Sequence, residues 1–355
     1  MRNLLSAQEL QKKILQGEII ECTKLNNASL KDVDLSGLLF LDVVFLDNVT
    51  LHCKIDECLF EKCQFKKSDF SHSQICQCRF TQCVLFQANF SHSNLEETIF
   101  TACSLDNSLF YDTNLNNCQF LECSLIDTQF MRVSSKQCHI YRSNMDKSYF
   151  QNCHFFLATL FQLNLCNVSL IENHIERSVF FQCQHTNNNY CNQKFLCCQF
   201  NNNHLESVNF TGAQLIQSNF SNSILQHACF NRVQGDKTIF NDCNLYCAQF
   251  QHSHLDLAQF IGANLQNVDF CYSSLQQAMF RQACLKKSLM IGCNLRYANL
   301  SQSDLRAADL SHAQFERTLL HRADQRKSCF TNRQGILDKD EALYAAECWR
   351  DETKK

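Results

Sequence analysis

The sequence predicts an all-β solenoid of square coils. Three observations lead there: a five-residue apolar period, a small-residue slot two positions before each apolar centre, and alternation of Phe and Leu with period ten. From residue 25 to residue 330, 62 positions are divisible by five, and all but Thr50, Ser135, His185, Gly235 and Gln325 hold Leu, Phe, Ile, Met or Tyr. Two residues before each centre, 55 of 62 positions hold Ala, Ser, Cys, Thr or Val; the exceptions are Leu38, Asn48, Leu163, Asn173, Asn188, Gln193 and Asn203. Phe occupies 60, 70, 80, 90, 100, 110, 120 and 130, with Leu at 85, 95, 105, 115 and 125 between them.

A period of five matches neither 3.6 nor 3.5 residues per turn, so helices would smear the apolar stripe around the cylinder. A short strand followed by a corner fits. Residues two apart on a strand face the same way, so the small residue and the large centre both point inward, and the last two residues turn the corner. Four such sides close a coil of twenty residues. Phe then falls on two opposite sides and Leu on the other two, and like side chains stack in columns as the coils pile up at ~4.8 Å. The pattern gives about fifteen coils, a solenoid whose length needs no single globular core.

The repeats that carry the pattern, such as Ala298-Asn299-Leu300-Ser301-Gln302 and Ala308-Asp309-Leu310-Ser311-His312, resemble the pentapeptide-repeat family motif A(D/N)LXX. The resemblance spans residues 23 to about 330 and implies a right-handed quadrilateral β-helix. It says little of function, because one fold serves many.

An open coil end exposes apolar core and unpaired edge, so caps are expected. Ser6 with Glu9 forms a capping-box pair, Leu10, Ile14 and Leu15 offer an apolar face and Gly17 a stop, which predicts a helix at about 6–16. Asp338 with Glu341 repeats the signature and predicts a second helix at 338–350, with Leu343, Ala346 and Trp349 facing inward. The organisation read from sequence is therefore a cap and lead-in at 1–22, the solenoid at 23–332, and a cap helix and tail at 333–355. The stretch 163–203 breaks the pattern most, collecting Leu163, Asn173, His185, Asn188, Gln193 and Asn203 in slots meant for small or apolar side chains, and is expected to be a bulge, a bend, a binding notch or simply polar tolerance.

Composition narrows the function classes. The chain has 32 basic and 35 acidic residues, so no polyanion is demanded as a partner. Residues 1–16 have no apolar run of signal-peptide type, and no stretch reaches membrane-spanning length. The 25 cysteines are periodic and read as reduced, buried thiols in a cytoplasmic protein. Cys63, Cys83, Cys103 and Cys123 fall in one column, and Cys58, Cys78, Cys118 and Cys138 in another, where parallel Cβ atoms sit slightly too far apart for disulfides. No phosphate-cradling Gly loop, no HExxH and no nucleophile constellation accompanies the outward-phase Cys76, Cys166, Cys191, Cys197, Cys247 and Cys271, which points away from an enzyme and from a cofactor.

The candidate sites are on the surface. His52, His72 and His92 share a column flanked by Asp32 and Asp112, a spacing suited to a transition metal. Residues 31–130 carry 14 acidic and 6 basic residues, whereas 281–330 carry 9 basic and 4 acidic, including Arg281, Lys286 and Lys287. Asp32, Asp112, His185, Arg281, Lys286, Lys287 and Trp349 are thus the candidate partner contacts. The aromatics recur in the inward phase, which speaks against direct nucleic-acid binding. The function expected is a protein-binding scaffold with an unidentified protein partner, of the bacterial effector or secretion-associated kind that some relatives show. The resemblance also allows a DNA mimic acting on a type II topoisomerase, by gyrase inhibition or quinolone protection, and dimerisation through the C-terminal helix.

Overall fold

The computed structural model describes residues 2–30, 34–46 and 54–352. The chain divides into two compact units, residues 1–184 and 185–355, with the boundary inside the 163–203 stretch. Each unit is β-solenoid, and the architecture is the right-handed quadrilateral β-helix with short helices near the termini.

In the first unit one side of the coil is a continuous sheet of nine parallel strands, from Ile20–Glu21 through Leu59–Glu61, Arg79–Thr81, Ile99–Thr101 and Gln119–Leu121 to Val179–Phe181. Phe60 lies opposite Phe80, Phe80 opposite Phe100, and Phe100 opposite Phe120. A register of twenty is what four five-residue sides require. In the second unit ladders of the same register are made of single-residue bridges, such as Asn209 to Cys229 to Gln249 to Asp269.

The interior is built of stacked rings. Phe60, Phe80, Phe100 and Phe120 stack at centroid distances of 4.7, 4.9 and 5.2 Å. Phe70, Phe90, Phe110 and Phe130 form the opposite column at 4.8, 4.9 and 4.9 Å. The two columns meet edge to face, with Phe110 and Phe120 at 6.0 Å and 88°. The electropositive ring edge against the neighbour's face is the favourable aromatic geometry. Phe200 to Phe280 repeats it, for example between Phe250 and Phe260 at 5.9 Å and 87°.

The small slot has a second role besides size. In many slots the hydroxyl or thiol donates to the carbonyl of the core residue 23 positions earlier, on the preceding coil, whereas Ser93 and Ser303 donate within their own coil, to Phe90 and Leu300. Ser108 donates to Leu85 at 2.8 Å, Thr113 to Phe90 at 2.9 Å and Thr128 to Leu105 at 3.0 Å. Cys103 donates to Phe80 at 3.2 Å and Cys123 to Phe100 at 3.4 Å, the thiol standing in for the hydroxyl. The second unit shows the same for Ser218, Thr238, Cys243 and Cys293. Ala and Val fill the slot without donating. A hydroxyl bond of this kind contributes about 1 kcal/mol, and the thiol, a weaker donor, contributes less. All cysteines among the described residues are free thiols.

Corners come in two forms that share a left-handed residue at the second position after each centre. In the tight form the N–H of the third residue returns to the centre's carbonyl, as Ser68 to Phe65 at 3.1 Å with Lys67 at φ 57°. This is type II turn geometry. In the other form the strand runs one residue further, as in Leu59–Glu61, and the Lys62 N–H donates to Thr81 on the next coil at 2.9 Å. The nine-strand sheet of the first unit uses the extended form; the second unit is nearly all tight corners.

The polar residues of 163–203 cause no frame slip within either unit. Asn173 takes the slot's part with an amide: Nδ2 donates to the Phe150 carbonyl at 3.0 Å, and Oδ1 accepts from the Cys153 N–H at 2.9 Å. Asn188 Nδ2 donates to the Tyr190 hydroxyl at 3.2 Å, and Gln193 and Asn203 are buried. Within each unit these polar side chains are accommodated in the frame of the coil.

The ends differ from expectation in detail. Helix α1 spans Ala7–Leu15, its capping box is formed by Ser6 and Glu9, and Gly17 follows at φ +65°. Leu10 is buried but Leu15 is exposed, so the expected three-residue apolar face reduces to Leu10 with Ile14 half-buried. A second, four-residue helix, α2, covers Asn27–Leu30. The C-terminal helix α3 spans Glu341–Glu352 and is capped by Asp340, whose Oδ1 accepts from the Leu343 N–H at 3.0 Å. Asp338 binds Arg333 instead, at 2.5 Å. Leu343, Tyr344 and Ala346 are exposed, so α3 does not turn these three residues inward. Before it, Ile336–Leu337 pairs with Thr318–Leu319 at a spacing of eighteen, ending the frame of twenty. Gly335 permits the shortcut, since a Cβ there would collide with the Phe315 carbonyl.

Candidate interaction surface

Registered coils turn a sequence spacing of twenty into a column on the surface, so charge and chemistry repeat along corners and faces. In the first unit one corner carries Asp56 and Glu57, then Cys76 and Gln77, then Glu96 and Glu97. Asp56 Oδ1 accepts from the Cys76 N–H at 2.9 Å, and Gln77 Nε2 donates to Glu97 Oε2 at 2.9 Å. Glu57 and Glu97 are exposed. The two carboxylate pairs stand two coils apart, about 10 Å.

The histidine column is present for its described members. His72 and His92 stack at 4.8 Å, and His92 Nδ1 lies 3.4 Å from Asp112 Oδ2. Arg132 approaches the same Asp112 oxygen at 3.6 Å. Asp32 and His52 lie outside the described residues. Among the described residues, only His154, His174 and Glu176 bring three metal-ligating atoms within 4.8 Å of one another. That group is absent from the sequence-derived candidates, although His154 and His174 are twenty apart.

In the second unit Arg281 and Lys287 are exposed and Lys286 is half-buried. Arg306 and Arg326 are less available, because Asp304 and Asp324 hold them at 2.6 Å each. The Arg326 guanidinium draws the Asp324 carboxyl down to about 2.

Two expectations are corrected. His185 is fully buried, with Nδ1 2.7 Å from the Tyr190 hydroxyl, so it is an interior polar group and cannot contact a partner. Burial lowers its pKa to about 3. The aromatics are also not confined to the interior: Tyr141, Phe161 and Phe181 stack along the outer face at 4.8 and 5.8 Å, with the Arg142 guanidinium 4.9 Å from the Tyr141 ring centre. These positions directly follow inward centres on strands with extended corners, so the step from 140 to 141 takes the side chain outside. The Trp349 side chain lies outside the described part of α3.

Burial pushes the thiols of Cys138, Cys243 and Cys293 up to about 12. Outward-phase Cys271 is pushed up to about 11 by burial and the adjacent Asp269. Among the described residues, no helix is long and apolar enough to cross a membrane.

A solenoid with a register of twenty, stacked aromatic columns and a small-residue donor slot defines a repeat scaffold that displays side chains in rows. The chain belongs to the pentapeptide-repeat family. Residues 53–130 and 73–150 match the family described as Pentapeptide repeat region, and residues 194–234, 243–282, 253–290 and 283–322 match Pentapeptide repeats (8 copies). No curated protein matches the chain. Among solved structures, HetL, a pentapeptide repeat protein of heterocyst differentiation regulation from the cyanobacterium Nostoc sp., is 15% identical, with 89% of this chain and 97% of HetL covered and a TM-score of 0.20. QnrB1, a plasmid-mediated fluoroquinolone resistance protein, is 20% identical over 50% of this chain and 87% of its own, with a TM-score of 0.24. Rfr23 from the cyanobacterium Cyanothece is 19% identical over 40% of this chain and 91% of its own, with a TM-score of 0.18. The family assignment rests on the repeat matches and not on these superpositions.

Proposed function

We propose that the protein is a non-enzymatic binding scaffold whose partner is a protein with a basic surface. The observation that carries this reading is the corner of the first unit where Asp56, Glu57, Glu96 and Glu97 stand in register. Turns tied coil to coil by backbone hydrogen bonds hold these carboxylates, so binding them costs little ordering. The complementary charge of a partner would steer association and set specificity. Arg281 and Lys287 in the second unit are candidates for an acidic element of the same or another partner. The test is affinity capture with the wild-type chain and with D56N/E57Q/E96Q/E97Q. A protein retained by the former and lost, or weakened at least tenfold, with the latter supports the reading; equal recovery refutes it.

The same acidic corner favours a second reading, a DNA mimic for a type II topoisomerase. The basic residues of 281–330 weigh against it. Gyrase supercoiling with and without a quinolone decides: no change at micromolar protein removes it. Dimerisation through α3, where Leu343 and Tyr344 are exposed, would appear as a doubled mass in light scattering that L343E returns to the monomer value.

A further inference from the structure

Strands His154–Phe156 and His174–Glu176 are parallel neighbours in the first unit, in the register His154 to His174 and Phe156 to Glu176. Phe155 and Ile175 point into the core. Strand alternation therefore sends His154, Phe156, His174 and Glu176 to one outer face. The two imidazoles stack at 4.8 Å with their planes 22° apart, and His174 Nε2 lies 3.8 Å from Glu176 Oε2. His154 is exposed; His174 and Glu176 are half-buried. The other Glu176 oxygen faces Arg177 Nε at 3.6 Å.

We propose that His154, His174 and Glu176 form a binding site for a late first-row divalent cation, with Zn²⁺ the ion of reference. Two imidazole nitrogens and one carboxylate oxygen are a donor set that zinc takes with a fourth position open to water or to a partner's ligand. Imidazole donors select zinc, nickel or copper over magnesium and calcium, which prefer oxygen-only shells. Bond lengths of about 2.0–2.2 Å place tetrahedral donor atoms about 3.3 Å apart. The donor atoms here lie within 4.8 Å. The remaining approach is a matter of side-chain torsion, because ladder pairing already fixes the backbones. The imidazoles turn out of their stack so that their lone pairs converge, and Glu176 ligates through Oε2 while Oε1 stays with Arg177. The His72 and His92 pair shows the same stacking, but there a single carboxylate oxygen, Asp112 Oδ2, faces both His92 and Arg132, whereas Glu176 offers His174 and Arg177 different oxygens. The bound ion would tie two successive coils together from outside.

The test is calorimetry of the full, reduced chain with ZnCl₂, beside H154A, E176Q and H72A. The site predicts that H154A loses one equivalent of zinc relative to wild type, that E176Q binds that equivalent at least tenfold more weakly, and that H72A keeps it. Because exposed thiols also bind zinc, Co²⁺ supplies a second readout. The wild-type minus H154A spectrum should contain visible d–d absorption without a sulfur-to-cobalt charge-transfer band. His154 and Glu176 lie on the surface, and an unchanged far-ultraviolet spectrum checks that the variants fold. No zinc uptake by wild type, equal uptake by wild type and H154A, or a difference spectrum dominated by the sulfur band overturns the proposal.

Discussion

Replacing His185 by Leu should remove an acid sensitivity from the fold. His185 is fully buried, and its side chain meets the Tyr190 hydroxyl and the Phe200 ring. Burial penalises the imidazolium and lowers the pKa from 6.5 to about 3. The unfolded chain binds a proton as pH falls below 6.5, while the folded chain does not until about 3. Stability rises with pH wherever the unfolded state binds more protons, so this group's contribution is complete above 6.5 and is lost progressively down to about 3. Between pH 7 and pH 5 the loss is about 2 kcal/mol. Leu is the residue at the equivalent centres Leu205 and Leu225 and fits the column. Urea unfolding followed by circular dichroism at pH 7 and pH 5 gives the difference for wild type and variant. Other titrating groups are common to both and cancel, and the lost Tyr190 contact offsets the variant nearly equally at both pH values. The variant should lose about 2 kcal/mol less than wild type over this interval. Identical pH dependence would refute the assignment of His185 as a buried neutral imidazole.

Thr238→Val keeps the shape of its slot and removes the hydroxyl whose single proton is shared between the Leu215 carbonyl at 2.9 Å and the Gly235 carbonyl at 2.7 Å; it should cost about 1 kcal/mol by urea unfolding. Gly292→Ala meets two obstacles, a φ of +67° and the Tyr272 ring 2.8 Å from the new Cβ. A loss of about 1–2 kcal/mol is expected, part of it recovered when Tyr272→Ala is added, as a double-mutant cycle would read. Ellman titration of the native chain at pH 8 should label exposed Cys22 and Cys329 first and leave buried Cys138, Cys243 and Cys293 unreacted until urea is added.

The coil is legible in the sequence because every side repeats the same two inward slots, so Leu25 to Phe330 can be placed in phase without a structure. What joins one coil to the next is less legible. The bond from Thr128 to the Leu105 carbonyl links residues 23 apart, a number that follows only after the coil is closed at twenty and the slot is seen to lean onto the coil before it. The two corner forms share one residue pattern, so nothing in the string distinguishes the tight turn after Phe65 from the extended corner after Phe60. At the C-terminus Asp338 and Asp340 are both acceptable helix caps by composition. Only the Arg333 pairing of Asp338 leaves Asp340 to cap. His185 fits a surface contact as a polar residue in a weak stretch, yet its phase, divisible by five, already places it inside. The columns His72/His92 and His154/His174 carry the same spacing. The second sits on a strand, where Glu176 two residues on shares the face, and an alternation search at strand positions would find it.

The fold and its surface columns depend on residues twenty apart standing on successive coils. Asn202 and Gln302, both at corners of the second unit, are one hundred positions apart, which makes five coils or about 24 Å between backbones. Spin labels attached at these two sites through non-thiol chemistry, and measured by pulsed electron double resonance, should give a narrow distribution centred near that distance. A broad distribution, or a mean that corresponds to any repeat other than twenty residues per coil, contradicts the account.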